Sequence, residues 1–287
     1  MVSKRWHLGT RQLTIEKSPL VMGILNATPD SFSDGGKYET SQVAIATALQ
    51  MQRDGADIID IGGESTRPYS DPVGVNEEID RVIPVIEGLA SELTIPISID
   101  TSKARVAELA LNAGAEILND VTGLEGDPEM IRIAMNSDVG LCLMHMQGNP
   151  QTMQDDPSYE DVVGEIVDYL IARRDFCLAA GIDPRRICLD PGIGFGKTHE
   201  HNVALLKNAT RFQETGCPIL IGHSRKGFIG QILGDKSADR TAGTLGVSLA
   251  MAAAGAQVLR VHDVKPTVDA LKLFNAAGGL DAMINGA

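Results

Sequence analysis

No apolar run in this chain reaches the about 18 residues that cross a bilayer, so no transmembrane segment and no membrane partner are expected. Residues 1–13 lack the apolar stretch of a secretory signal, and a cytoplasmic location is the expectation. Cysteine is scarce: Cys142, Cys177, Cys188 and Cys217 show no CxxC spacing, which speaks against a disulfide framework or a cysteine metal site. Cys142 and Cys188 sit inside apolar runs and read as small buried thiols in a reducing compartment. Positive charge is also short. Lysine and arginine number 25 against 38 acidic residues, a net charge of −13, with a pI near 4.9. That balance excludes a broad nucleic-acid surface; an anionic ligand would need a local basic pocket.

Low-complexity tracts and long linkers are missing as well, so residues 1–287 read as a single domain. With 43% hydrophobic residues, that length builds one large core. A short N-terminal hairpin is predicted over 6–16. Strands follow at 20–25, 57–62, 95–100, 116–121, 140–145, 187–190, 218–223 and 258–262. Helical periodicity predicts helices at 41–54, 77–91, 103–113, 128–137, 158–180, 201–215, 238–254 and 266–277. Gly55, Gly114, Gly181 and Gly255 each close a helical pattern before a strand, as residues just past a helix end should. Eight alternating strand–helix units match a (β/α)8 barrel, an α/β fold that commonly takes about 250 residues. The strands are apolar throughout, as when both faces are covered. A doubly wound open sheet is the alternative.

The polar residues gather at the strand ends. The run Leu20-Val21-Met22-Gly23-Ile24-Leu25 stops at Asn26, and an oxygen-rich loop follows around Phe32, closing on Gly35-Gly36. The other strands deliver Asp60, Asp100, Asn119-Asp120, His145, Asp190, Ser224-Arg225-Lys226, and Arg260 with His262. A lone strand-end acid or hydroxyl is commonly a helix cap, and Thr101, Ser102 and Asp263 read that way. Eight polar termini on one rim are different, because charge within an apolar strand costs several kcal/mol unless paired or bound to something. In barrels this rim carries active sites. Asp100, Asn119 and Asp190 suit the ring N–H groups of a flat heterocycle, with Met144 placed to floor it. Arg67, Lys226, Arg260 and His262 read as cations for an anionic end.

Several motifs fail on inspection. Residues 190–198 end like a phosphate-binding loop, but its first glycine would fall at Pro191, which has no N–H for a phosphate. Gly192 and Gly194 begin a dinucleotide-binding spacing, yet Lys197 stands in the third glycine's place. His199 and His201 lie on different helix faces and read as surface residues. Ser224 lacks a nucleophile elbow. Glu64 and Asp71 read as solvated loop charges.

The segments GILNATPDSFSDGG, DIIDIGGESTRP, SIDTSK, LND, LMHMQGNPQTMQ, LDPGIGFGK, SRKGFIG and RVHDV together resemble the bacterial dihydropteroate synthases, over about residues 21–264. The resemblance implies a (β/α)8 barrel that joins 6-hydroxymethyl-7,8-dihydropterin diphosphate to 4-aminobenzoate. It implies that Asp100, Asn119, Met144, Asp190 and Lys226 hold the pterin, with Asp100, Asp190 and Lys226 active in the chemistry. Asn26, Arg260 and His262 would take the diphosphate, Asn26 also binding Mg2+. Phe32, Thr66, Arg67, Pro68, Phe195 and Gly227 would form the aminobenzoate end. A homodimer through late helices and inhibition by sulfonamides are further implications. Ala27, Tyr69, His223 and Gly227 depart from the usual family pattern; all but Ala27 lie near the aminobenzoate end. The aromatic amine is neutral at pH 7, so no strong base is needed, and an ionisation-first substitution driven by electrostatics and positioning is expected. Gly35-Gly36 and Gly62-Gly63 read as hinges of loops that close over the second substrate. A methyltetrahydrofolate:corrinoid methyltransferase is the rival enzyme reading, and a pterin-binding protein without turnover the non-enzymatic one.

Overall fold

Eight short parallel strands close on themselves in a computed structural model that describes residues 4–28, 37–65 and 70–280. A hairpin of β1 (Lys4–His7) and β2 (Gln12–Ile15) precedes them. The barrel strands are β3 (Leu20–Asn26), β4 (Ile58–Gly62), β5 (Ile97–Asp100), β6 (Ile117–Asp120), β7 (Gly140–Met144), β8 (Ile187–Asp190), β9 (Leu220–Ile221) and β10 (Val258–Val261). Their spatial order is β8-β7-β6-β5-β4-β3-β10-β9. A parallel bridge between Leu189 and Ile219 and a 2.9 Å bond from the Leu189 N–H to the Pro218 carbonyl join the two ends. The barrel reading holds and the open-sheet alternative falls.

The strands bury both faces because both are apolar. Ile59, Ile61, Leu118, Leu141, Leu143, Leu189, Leu259 and Val261 point outward into one continuous core. That core is completed by helices α1 (Lys37–Arg53), α2 (Val75–Ala90), α3 (Ala104–Ala113), α4 (Met130–Met135), α5 (Val162–Ala179), α6 (His199–Lys207), α7 (Gly227–Ile232), α8 (Thr241–Ala253) and α9 (Val264–Ala276). In α2 the apolar set Val82, Val85, Ile86 and Leu89 recurs at three- and four-residue steps and is fully buried. Gly55, Gly114, Gly181 and Gly255 all take positive φ at helix ends.

Inside the barrel, Met22, Ile58, Ile117, Cys142, Cys188, Leu220 and Val258 form a separate apolar layer with Trp6, Leu8 and Ile15 of the hairpin. The hairpin therefore plugs one end of the barrel. Trp6 Nε1 donates to the Arg186 carbonyl at 2.8 Å, and Gly140 leaves room for it, since a Cβ there would meet Leu8 at 2.4 Å. Cys142 and Cys188 are register partners in this layer, and all four cysteines are buried free thiols.

Some boundaries differ from the sequence reading. The seventh barrel strand spans two residues rather than 218–223, because Pro218 has no N–H for a ladder. The helix predicted over 201–215 is α6, started at Thr198 by reciprocal bonds with His201, followed by a 3-10 turn at Ala209–Thr215. Helix α7 is hidden in the sequence by its glycines, and α8 begins three residues after the predicted start. Asp263 occupies the cap position of α9 without capping it; its carboxylate pairs with Arg225. At the start of α3 the Thr101 hydroxyl accepts the Lys103 N–H at 3.2 Å and Asp127 accepts the Ala104 N–H at 2.9 Å.

Candidate active site

Two residues beyond the plug along each strand, the interior turns polar. Asp60 follows Ile58, Asn119 follows Ile117, Asp190 follows Cys188 and Arg260 follows Val258, each on the inward-facing alternate position. Asp60, wholly buried, accepts from Arg260 Nε at 2.6 Å and from Asn119 Nδ2 at 3.2 Å. Arg260 also donates through a terminal nitrogen to Asp100 Oδ2 at 2.6 Å, and Asp100 is the register partner of Asn119. Four groups from four strands thus form one bonded unit. Burial pushes the Asp100 carboxyl up to about 7 against the pull of Arg260. Arg260 stays firmly charged despite its own burial, held so by Asp60 and Asp100.

Asp190, at the end of β8, is raised to about 6 by burial, while the Gly192 N–H, 2.7 Å from Oδ1, and the Lys226 charge work to lower it. Lys226 is lowered to about 8 by burial and by the nearby Arg260 charge, with Asp190 and Asp100 opposing. Its Nζ sits 4.1 Å from the centre of the Phe195 ring, a cation–π contact. Phe195 belongs to a small apolar cluster with Val121, Met144 and Met153. Met144 pairs in register with Asp190, so the predicted floor and the predicted ring acceptor are neighbours.

At the β10 end, the His262 backbone N–H donates to Ser224 Oγ at 3.2 Å, and Ser224 Oγ lies 3.0 Å from His262 Nδ1. Oγ has one hydrogen and two lone pairs, so this contact forms with either ring tautomer and fixes the orientation of the ring, leaving Nε2 as the nitrogen turned away from Ser224. Burial, then Arg260 and Arg225, lower His262 to about 4. These effects favour the neutral imidazole at pH 7, where the sequence alone reads a cation. Asn26 stands half-buried at the end of β3, beside Gly62 in register. Gly227 opens α7 exposed, and a Cβ there would meet nothing within 4 Å.

Glu64 is not a solvated charge. Lys103 Nζ lies 2.5 Å from both Glu64 and the fully buried Glu78, and Glu64 also accepts the Val73 N–H at 2.9 Å. Gly63 meets a packing need: a Cβ there would sit 2.7 Å from Val82. His201 is half-buried at the α6 cap rather than on the surface, its ring 5.0 Å from Tyr159. Phe32, Thr66, Arg67 and Pro68, with Gly35, Gly36 and Tyr69, lie outside the described residues. Among the described residues, no group of three or more acidic, histidine or cysteine side chains is placed to cage a metal, and no helix is long and apolar enough to cross a membrane.

The pterin-binding enzyme model matches residues 22–262. The dihydropteroate synthase of Neisseria meningitidis serogroup B is 50% identical over 279 residues, covering 95% of this chain and 97% of that protein. The Xanthomonas albilineans dihydropteroate synthase solved with 4-aminobenzoic acid superposes with a TM-score of 0.89 at 45% identity, covering 96% and 98% of the two chains. A second structure of the Xanthomonas albilineans enzyme, in complex with 7,8-dihydropteroate, gives 0.85 at 43% identity, with 95% and 98% covered. The chain belongs to the dihydropteroate synthase family of pterin-binding enzymes. Membership in the dihydropteroate synthases disfavours the corrinoid methyltransferase reading. Three site residues of this dihydropteroate synthase family member escape the sequence reading. Asp60 stands at its strand end there without a role; its signal is a carboxylate flanked by isoleucines. Ser224 figures only as a polar strand end and a rejected nucleophile, and Lys197 only in the failed phosphate-loop and dinucleotide spacings.

Proposed function

We propose that the chain is a transferase that joins 6-hydroxymethyl-7,8-dihydropterin diphosphate to 4-aminobenzoate, giving 7,8-dihydropteroate and pyrophosphate in folate biosynthesis. One observation carries this reading: the barrel mouth joins a buried set of ring-binding groups, Asp100, Asn119, Asp190 and Lys226, to the Arg260 and His262 donors of β10. The C–O bond between the pterin methylene and the diphosphate breaks first, its electron pair leaving with the diphosphate. The amine lone pair of 4-aminobenzoate then forms the C–N bond, and the amine proton passes to solvent. Asp100 and Asp190 stabilise the transient pterin cation in a low-dielectric cavity. Arg260 and the His262 ring, through Nε2, receive the charge that builds on the diphosphate. Phe195, Thr66, Arg67, Pro68, Phe32 and Gly227 make the acceptor end.

A magnesium ion fits this donor set in one way. The Asn26 amide oxygen at the mouth is a single neutral ligand, which suits an ion that keeps its waters and arrives on substrate phosphates. When bound there, Mg2+ neutralises diphosphate charge. We also propose a cytoplasmic homodimer through α7–α9, where Ile232, Leu233 and Leu273 are 62%, 52% and 72% exposed. Light scattering of the purified protein reads the dimer, and competition with 4-aminobenzoate reads sulfonamide inhibition.

The deciding assay is pyrophosphate release from the pterin diphosphate, with and without 4-aminobenzoate. Acceptor-dependent release with equimolar dihydropteroate is the expected result. Binding of the pterin diphosphate without turnover would leave a non-catalytic pterin binder.

A further inference from the structure

Three consecutive carbonyls in the loop after β8 each accept one side-chain donor. Gly194 accepts from Gln154 Nε2 at 2.7 Å, Phe195 from Lys197 Nζ at 2.8 Å and Gly196 from the Tyr159 hydroxyl at 2.7 Å. The loop requires such help. Gly192, Gly194 and Gly196 have φ of 68°, 83° and 59°, so its backbone joins no ladder, and buried carbonyls need partners. It also lies directly on the chain leaving β7. A Cβ on Gly192 would fall 1.9 Å from the His145 carbonyl oxygen, and one on Gly196 would fall 2.4 Å from that of Gln147.

Lys197 is the most buried of the three donors, 2% exposed. Its Nζ also lies 3.0 Å from His145 Nδ1 and 3.4 Å from the His145 carbonyl. Three acceptors match the three N–H groups of an ammonium. Burial and the Lys197 charge hold His145 down to about 3, so its ring is neutral, and burial also lowers Lys197 itself to about 7. The His145 ring is itself braced edge-on by Tyr169, 4.8 Å between centres. Lys197 thus ties the β8 loop to the end of β7, and it does so at Phe195, the residue whose ring meets Lys226.

We propose that Lys197 is a positioning residue for the acceptor half of the active site, fixing the Phe195 carbonyl to His145 and so holding the Phe195 ring against Lys226. The inference rests on the synthase reading above. Lys197 acts through Phe195, and a shift of about 1 Å in a positioned group can cost about a hundredfold in rate. Loss of the tether should therefore fall on 4-aminobenzoate more than on the pterin, whose ligands Asp100, Asn119, Met144 and Asp190 sit on strands, Lys226 alone lying in the loop before α7.

The test uses the full chain. Wild-type protein must first show 4-aminobenzoate-dependent pyrophosphate release; failure there sinks the synthase reading, and it is read on the wild type alone, apart from any effect of the tether. Lys197→Met keeps the stem and removes the three N–H groups. The expected result is a KM for 4-aminobenzoate raised about tenfold, with the Kd for pterin diphosphate within about twofold of wild type. In a Phe195→Leu background the same substitution should add nothing further to the 4-aminobenzoate KM, because residues acting through one another are not additive. An unchanged KM, equal losses for both substrates, or full additivity with Phe195→Leu overturns the proposal. Should Lys197→Met fail to fold by circular dichroism, Lys197→Gln carries the same comparison with the same outcomes.

Discussion

Arg260 Nε and Asp60 Oδ2 lie 2.6 Å apart across the barrel interior, and Asp60 has no exposed surface. Asp60 is the hub: without it, Arg260 keeps Asp100 alone and Asn119 loses its acceptor. Breaking a buried ion pair from one side typically costs about 3–5 kcal/mol, and the remaining Asp100 contact places this case near the lower end. Asp60→Ala should therefore lower the urea midpoint by an amount equivalent to about 3 kcal/mol and weaken pterin diphosphate binding at least about tenfold. An unchanged midpoint would show that the pair contributes nothing to the fold.

The site's charges also set a pH window. Burial raises Asp190 to about 6, so its carboxylate, the form that accepts ring N–H groups, is lost as pH falls through that value. Asp100, at about 7, steepens the same limb. Burial lowers Lys226 to about 8, so its charge is lost as pH rises through that value. A plot of kcat/KM for the pterin diphosphate should be bell-shaped, and its limbs belong to the coupled set rather than to single residues. The residual activity of Lys226→Arg, charged throughout, should lose the alkaline limb. Persistence of that limb assigns it to another group.

The barrel was legible because its signal is local: apolar runs of strand length, helical periodicity and glycines at helix ends. The site was legible as a rim for the same reason, each polar residue marking where its strand ends. Which side chains meet was not legible, since Arg260 and Asp60 are two hundred positions apart and are joined only by closure of the sheet. For that reason Arg260 reads as a free cation in the sequence and Asp60 as a bystander. Glu64 reads as solvated because nothing local reveals that Lys103 reaches it from the start of α3. The protonation of His262 depends on its burial and then on the Arg260 and Arg225 charges around it, which sequence spacing does not supply.

Two glycines of the site should respond in opposite ways. Gly192 has φ of 68° and its Cβ position lies 1.9 Å from the His145 carbonyl, so Gly192→Ala demands both a strained backbone and movement of β7. A loss of more than about 2 kcal/mol of stability is expected, with activity falling in step. Gly227 faces open space, so Gly227→Ser should change stability by less than about 0.5 kcal/mol. Its effect should appear in the KM for 4-aminobenzoate. Thermal unfolding and steady-state kinetics on both variants separate the two, and a Gly192→Ala protein as stable as wild type would refute the packing argument.

Ser224 is the residue on which the chemical reading is most exposed, because a serine beside His223 and His262 invites comparison with a hydrolase. The geometry argues otherwise. Ser224 Oγ accepts the His262 backbone N–H at 3.2 Å and lies 3.0 Å from His262 Nδ1. His223 turns away, its Nε2 lying 2.9 Å from Ser248 Oγ. On the proposed function Ser224 orients His262 for the diphosphate and forms no bond to substrate. Ser224→Ala frees Nδ1 from its partner and releases the orientation of the His262 ring, so diphosphate affinity should fall about five- to tenfold while turnover at saturation stays within about threefold. A nucleophile would lose turnover by orders of magnitude on the same substitution. Rapid-quench mass spectrometry of the wild type with pterin diphosphate should show no adduct on Ser224, Asp100 or Lys226, and a covalent adduct on any of them would overturn the ionisation-first pathway.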